Sequence, residues 1–226
     1  MSEASVVLSD REMRGIMDGN VTAIRRVVNL KKQFDSVQPA SAAVSAFYRD
    51  PAGWEWVGPP DGKGLGRLYQ YSVRCPFGVP GDKLSVQTEY MRCVSADGHC
   101  VSIWDEFTGR HRFSTGGPDI FASREMLGAE WKSMPAITMP HWACRPRLQI
   151  AAVCAERVQD ISENDASAEG IEYLAGRYTF NGGLHQERSA RMSLAACWNS
   201  VHRKDGFDWD ANPWTWIIRF AVLKPE

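Results

Sequence analysis

RLQIAAVCAERVQDISENDASAEGI, residues 147–171, changes its periodicity half-way along, and that change decides the class of fold. From Arg147 to Ala155 the apolar residues alternate, as a strand with one buried face requires. Ser162-Glu-Asn-Asp165 then sets an N-cap serine three positions before an acidic residue, a near capping box, and Gly170 closes the helix it opens. A strand running into a short capped helix predicts a mixed α+β chain.

Toward the C-terminus, a longer helix is predicted from about Gln186 to Val201, with Leu194, Cys197, Trp198 and Val201 on its apolar side. Pro213-Trp-Thr-Trp-Ile-Ile-Arg-Phe-Ala-Val-Leu223 reads as a closing strand. Toward the N-terminus, Leu8, Met13, Ile16 and Met17 predict a helix over Val7 to Asp18, stopped by Asp18-Gly19-Asn20. The β-branched stretch Val21 to Leu30 is extended, and in a strand Arg25 and Arg26 point to opposite faces. Strands are also predicted over Leu68 to Arg74, Lys83 to Cys93 and Cys100 to Phe107, the first two joined by the turn residues Cys75-Pro-Phe-Gly-Val-Pro-Gly-Asp82. The remaining stretches read as loop-rich, at about 31–66, with a short helix at Ala40 to Phe47, and at about 108–133. With no internal repeat and no linker, residues 1–226 are expected to form a single domain carrying these two insertions.

Composition narrows the function. The 226 residues are 44% hydrophobic with a formal net charge of −1, so no global basic field draws the chain onto nucleic acid and any such binding must be local. Nine tryptophans supply core volume or flat faces for stacking. The acidic N-terminus has no long apolar run, which predicts a cytoplasmic protein without a signal peptide or membrane span. Six cysteines, at 75, 93, 100, 144, 154 and 197, include no CxxC pair and read as free thiols. Cys93, His99 and Cys100 have no CxxC or HxxxH partner to complete a zinc site, so neither metal nor cofactor is expected. No Ser/His/Asp motif, Gly-rich phosphate loop or HExxH is present.

Five segments, in order, carry a resemblance: MDGNVTAIRRVV (17–28), CPFGVPGDKL (75–84), MPAITMPHWACR (134–145), the stretch 147–171 and WDANPWTWIIRF (209–220). Together they resemble the ASCH domain family in its phage- and prophage-encoded branch, over about half of the chain. The resemblance implies a PUA-like β-barrel with flanking helices, of the broad kind that binds RNA or modified nucleotides, without implying one activity. Some family members are similar to an amidohydrolase that deacylates acetylcytidine, using a lysine and a threonine at the end of the first helix and a glutamate on a later strand. Here those positions read Val21, Ile24 and Gln149, none of which transfers a proton or attacks a carbonyl, so the resemblance implies no catalytic residue and leans away from an enzyme.

The matched polar residues are Thr22, Arg25 and Arg26, where an arginine pair can hold a phosphate, and His141, Trp142 and Arg145, where a ring and a guanidinium can meet a base. The arginines read equally well as charges paired with Asp18 or another carboxylate, and Trp142 as a structural plug. Asp82 reads as a cap on local backbone amides, and Trp209, Trp214 and Trp216 as packing. The leading expectation is a module binding RNA, single-stranded nucleic acid or a modified nucleotide. A nucleoside amidohydrolase or ribonuclease comes second, and a phage accessory protein that binds a host protein in the host cytoplasm third.

Overall fold

The computed structural model describes residues 3–28, 46–50, 53–57, 70–73, 75–94, 101–105, 110–113, 120–121, 131–144, 146–180 and 184–223. In chain order the elements are β1 (Glu3–Val7), α1 (Asp10–Met17), β2 (Ala23–Val27), β3 (Ala46–Asp50), β4 (Gly53–Val57), β5 (Gln70–Val73), β6 (Lys83–Gln87), β7 (Tyr90–Val94), β8 (Val101–Asp105) and β9 (Arg110–Phe113). They continue with β10 (Ile120–Phe121), β11 (Lys132–Met134), β12 (Arg147–Arg157), α2 (Glu163–Ala168), β13 (Glu172–Leu174), β14 (Arg177–Phe180), β15 (Leu184–Glu187), α3 (Ala190–His202) and β16 (Trp214–Leu223). The chain is thus α+β, as its periodicities predict.

The sheet that positions the site has the order β1-β6-β12-β16-β2. Only β1 and β6 run parallel; the other neighbours are antiparallel. Among the described residues β1 and β2 are its two edges, so the sheet is open rather than closed into a barrel. Its long central strand, β12, carries an irregularity between Ile150 and Ala152. The extra residue restores the alternation on the same side, so Leu148 and Ile150 before it and Val153 after it all enter one core. That core fills the space between this face and α1 with Val6, Met13, Ile16, Ile24, Leu84, Trp216, Ile218 and Phe220.

A second sheet, β10-β9-β8-β7-β11, packs Tyr90 and Ile103 against Met139, Ala143 and Cys144. The β13-β14-β15 sheet joins α2 and α3 around Ile161, Ala166, Ile171, Ala190 and Leu194, and β3-β4-β5 forms a third antiparallel meander. Trp214, Trp216 and Trp209 all pack against these cores, and Asp82 accepts the Val79 amide at 3.1 Å, as expected.

Several boundaries differ from expectation. The first helix begins at Asp10, not Val7, because Ser9 and Glu12 cap it reciprocally and Glu3–Val7 is drawn into the sheet beside β6. Lys83 to Cys93 is two strands in two sheets, broken at Thr88 and Glu89. The stretches expected to be loop-rich contain β3 and β4, and β9, β10 and β11. The helix expected over 40–47 lies outside the described residues as far as 45, and Ala46 and Phe47 open β3. The last helix starts at Ala190, after Ser189 accepts the Met192 amide, while Leu184–Glu187 is strand. Val201 stands 60% exposed, because the buried stripe of this helix ends at Trp198. Cys75, Cys93, Cys144, Cys154 and Cys197 are in no disulfide, while His99 and Cys100 lie outside the described residues. Among the described residues no helix is long and apolar enough to cross a membrane.

Candidate functional site

Period-two geometry sends the two adjacent arginines of β2 to opposite faces of the sheet, as the sequence predicts. Arg26 faces α1, donating to Glu12 Oε1 at 2.8 Å and to the Val7 carbonyl at 2.9 Å. Arg25 faces α2, and its side chain is 2% exposed. All three of its nitrogens are engaged: Nε donates to Glu169 Oε1 at 3.0 Å, Nη1 to Thr215 Oγ1 at 2.8 Å and Nη2 to Glu156 Oε1 at 2.8 Å. Beside this network on the same face Arg219 pairs with Asp165. Of the two readings open for these arginines, both are held by carboxylates, although by Glu12, Glu156 and Glu169 rather than by Asp18.

The carboxylates respond differently. Burial works to raise Glu12, but the Arg26 guanidinium and hydrogen bonds from Ser9 outweigh it and hold this carboxyl below its usual range. At Glu169 burial prevails; Arg25 pulls the other way, Glu156 and Asp165 add to the rise, and the carboxyl is pushed up to about 7.

Glu169 lines a hollow of about 130 Å³ between α1 and the start of β13, walled by Gly15 and Val21 on one side and Gly170 on another, with Asp18, Arg14 and Glu172 around it. Two glycines let Val21 pack closely at its edge. A Cβ on Gly15 would stand 2.4 Å from Val21 Cγ2, and one on Gly170 2.8 Å from the same atom. Gly170 also has a φ of +94°, which suits the end of α2. Val21 itself bridges to Glu169, and the Thr22 amide donates to the Ala168 carbonyl at 3.0 Å, so the segment before β2 is tied to the end of α2 through the backbone.

The expected site residues are therefore divided. Thr22, exposed, and Arg25 and Arg26 gather at β2, while Ile24 is buried in the core on the α1 side. His141 and Trp142 are exposed on a short 3-10 turn whose Ala143 and Cys144 pack against β7 and β8, in a different core. Arg145 lies outside the described residues. Gln149 is exposed on β12, paired across Lys83 and Ala221, and does not reach the cluster; the β12 carboxylate that does is Glu156, seven residues on. Sequence reasoning missed Glu156, Glu169, Thr215 and Glu12. One signal was available: Ser9-Asp-Arg-Glu12 is a capping box that sets Glu12 on the first turn of the helix. Among the described residues no group of three His, Cys, Asp or Glu side chains is placed to hold a metal ion.

In comparisons with protein-family models, curated proteins and solved structures, the chain matches none.

Proposed function

We propose that the chain is a nucleotide- or RNA-binding module of the ASCH, PUA-like type, with the hollow beside Val21 as its base pocket and Trp142 as a stacking face for single-stranded RNA. The observation that carries this reading is the hollow itself: a recess of about 130 Å³ with an apolar wall at Val21 and a buried carboxyl, Glu169, at its side. Apart from Val21 and two glycines its lining is polar and charged, so a ligand there would be held by polar contacts. Trp142, 36% exposed on a proline-preceded turn, offers a ring face of the kind on which unpaired bases stack. Because Arg25 and Arg26 are engaged by carboxylates, phosphate contact falls to other cations. Arg14 stands at the hollow, its carbonyl accepting the Asp18 amide and its guanidinium in no ion pair among the described residues.

The test is binding of labelled single-stranded RNA and DNA, with free nucleosides as competitors, by the unaltered chain and by Trp142→Ala. Salt-sensitive RNA binding that weakens in the variant is expected. No binding of any probe at high protein concentration would overturn the reading.

One observation favours a hydrolytic alternative. A carboxyl pushed up to about 7 and lining a recess is poised to exchange protons near neutral pH. Incubation with acetylcytidine, following release of cytidine, separates the two readings. No turnover is expected, since Val21 and Ile24 supply neither amine nor hydroxyl; turnover abolished by Glu169→Gln would put the hydrolase in place of the binding module.

A further inference from the structure

On the second sheet two cations stand directly opposite each other. Lys132 of β11 pairs in register with Arg92 of β7, and residues so paired send their side chains to one face, with Cβ atoms about 5 Å apart. Like charges in that position repel, and the repulsion is relieved by a carboxylate of the chain or by an anion from outside. The chain supplies no carboxylate: among the described residues neither the exposed Lys132 side chain nor the partly exposed Arg92 side chain makes a hydrogen bond or an ion pair. Arg25, Arg26 and Arg219, by contrast, each meet one.

Register extends the row. Arg92 pairs on its other side with Ile103 of β8, and Ile103 with Arg112 of β9, so three of four positions in one row across the sheet are cationic. With strands about 4.8 Å apart, three spacings set its ends roughly 14 Å from each other. Alternation places Tyr90, Met134 and the opposed pair Asp105 and Arg110 on the same face, so the one acidic position of the paired segments there stands across from a further arginine. The positive excess is local, in a chain whose net charge is −1.

That face also seats Trp142. Tyr90, Ile103 and Met134 pack against Met139, Ala143 and Cys144, which lays the turn His141–Ala143 on the sheet beside the row, and Trp142 in this turn is 36% exposed. Arg92 is two residues along β7 from Tyr90, about 7 Å. A flat ring beside a line of cations suits a single strand of nucleic acid, whose bases stack while its backbone follows the charge. An acidic peptide would meet the cations but bring no base to the ring.

Resting on the RNA-binding reading above, we propose that Lys132 and Arg92 are the phosphate contacts of that module, and that single-stranded RNA crosses this sheet with a base on Trp142 and its backbone along the row. The bound phosphates then supply the anion that the opposed pair lacks.

The experiment is fluorescence titration of the full chain with a labelled oligouridylate at several salt concentrations, for the unaltered chain, Arg92→Gln/Lys132→Gln, Trp142→Ala and Arg14→Gln. Each phosphate neutralised on a single strand contributes about −0.7 to the slope of log affinity against log salt, so the double variant is expected to flatten that slope by about 1.4. Its affinity is expected to fall about tenfold, as for two exposed charge contacts. Without RNA it is expected to melt no lower than the unaltered chain, because it loses a repulsion and no partner. A lower melting temperature would show that the chain itself holds these cations and would overturn the proposal. An unchanged slope in the double variant, with binding weakened in Trp142→Ala or the slope flattened in Arg14→Gln, overturns it while leaving the binding module standing. Polyglutamate bound as tightly as the RNA, and lost equally in the double variant, overturns it in favour of an acidic protein partner. No binding of RNA by the unaltered chain overturns both the proposal and the reading it rests on.

Discussion

Two neighbouring residues, Arg25 and Arg26, each meet a glutamate through a guanidinium hydrogen bond of about 3 Å, yet the two faces of the sheet treat those glutamates oppositely. On the α1 side Glu12 receives Arg26 together with the Ser9 amide and hydroxyl, and its carboxyl is held low. On the α2 side one arginine is shared between Glu156 and Glu169 with Asp165 nearby, and the more deeply buried Glu169 is pushed up to about 7. An ion pair is therefore defined by its ratio of donors to carboxylates and not by the contact alone. The first side is capped; the second shares one guanidinium between two carboxylates.

The largest effect is expected from Arg25→Ala, which strips a buried network of its cation. Urea denaturation should show a loss of about 3–5 kcal/mol, with part of it regained in Arg25→Ala/Glu169→Gln. A loss below about 1 kcal/mol would mean the three carboxylates do not depend on this arginine. Next, Gly15→Ala drives a methyl into Val21 and is expected to cost about 1–3 kcal/mol. The Gly15→Ala/Val21→Ala double variant should be more stable than the sum of the two single losses allows, and strict additivity would deny the contact.

The faces also separate in their pH response. Glu169, raised on folding, contributes stability that is full below its unfolded value near 4.5 and is lost as pH rises through about 7. Across that window stability should fall by at most about 1.4 kcal/mol per pH unit, and Glu169→Gln should flatten the slope. Glu12, lowered, acts in reverse: its contribution is present above the unfolded value and lost as pH falls through the folded one. A profile of melting temperature against pH, unchanged between the chain and Glu169→Gln, would remove the distinction. The smallest change is expected from Arg26→Ala, at about 1 kcal/mol by the same denaturation, since both it and Glu12 are partly exposed.

What could be read in advance follows from range. The strand-to-helix change over 147–171, the Ser162 cap and the closing strand are local patterns and hold in the structure. So is the period of two that splits Arg25 from Arg26. The partners of Arg25 are not local: Glu156, Glu169 and Thr215 stand 131, 144 and 190 residues away, and no periodicity announces them. Gln149 and Glu156 lie on the same strand, where an offset along one element replaces a neutral residue by a carboxylate. Strands β3, β4 and β9 were hidden by turn-rich composition, which marks the ends of short hairpins as readily as it marks loops.

Strand β16 lies between β12 and β2, so the one piece of chain that joins the N-terminal arginines to the β12 glutamate is near the C-terminus. During synthesis Arg25, Glu156 and Glu169 are all made long before Thr215 arrives to close the set. Contacts of such separation form slowly, because loop closure precedes any gain from them. A chain stopped short of Trp214 carries every group of the hollow but lacks the strand that joins β2 to β12.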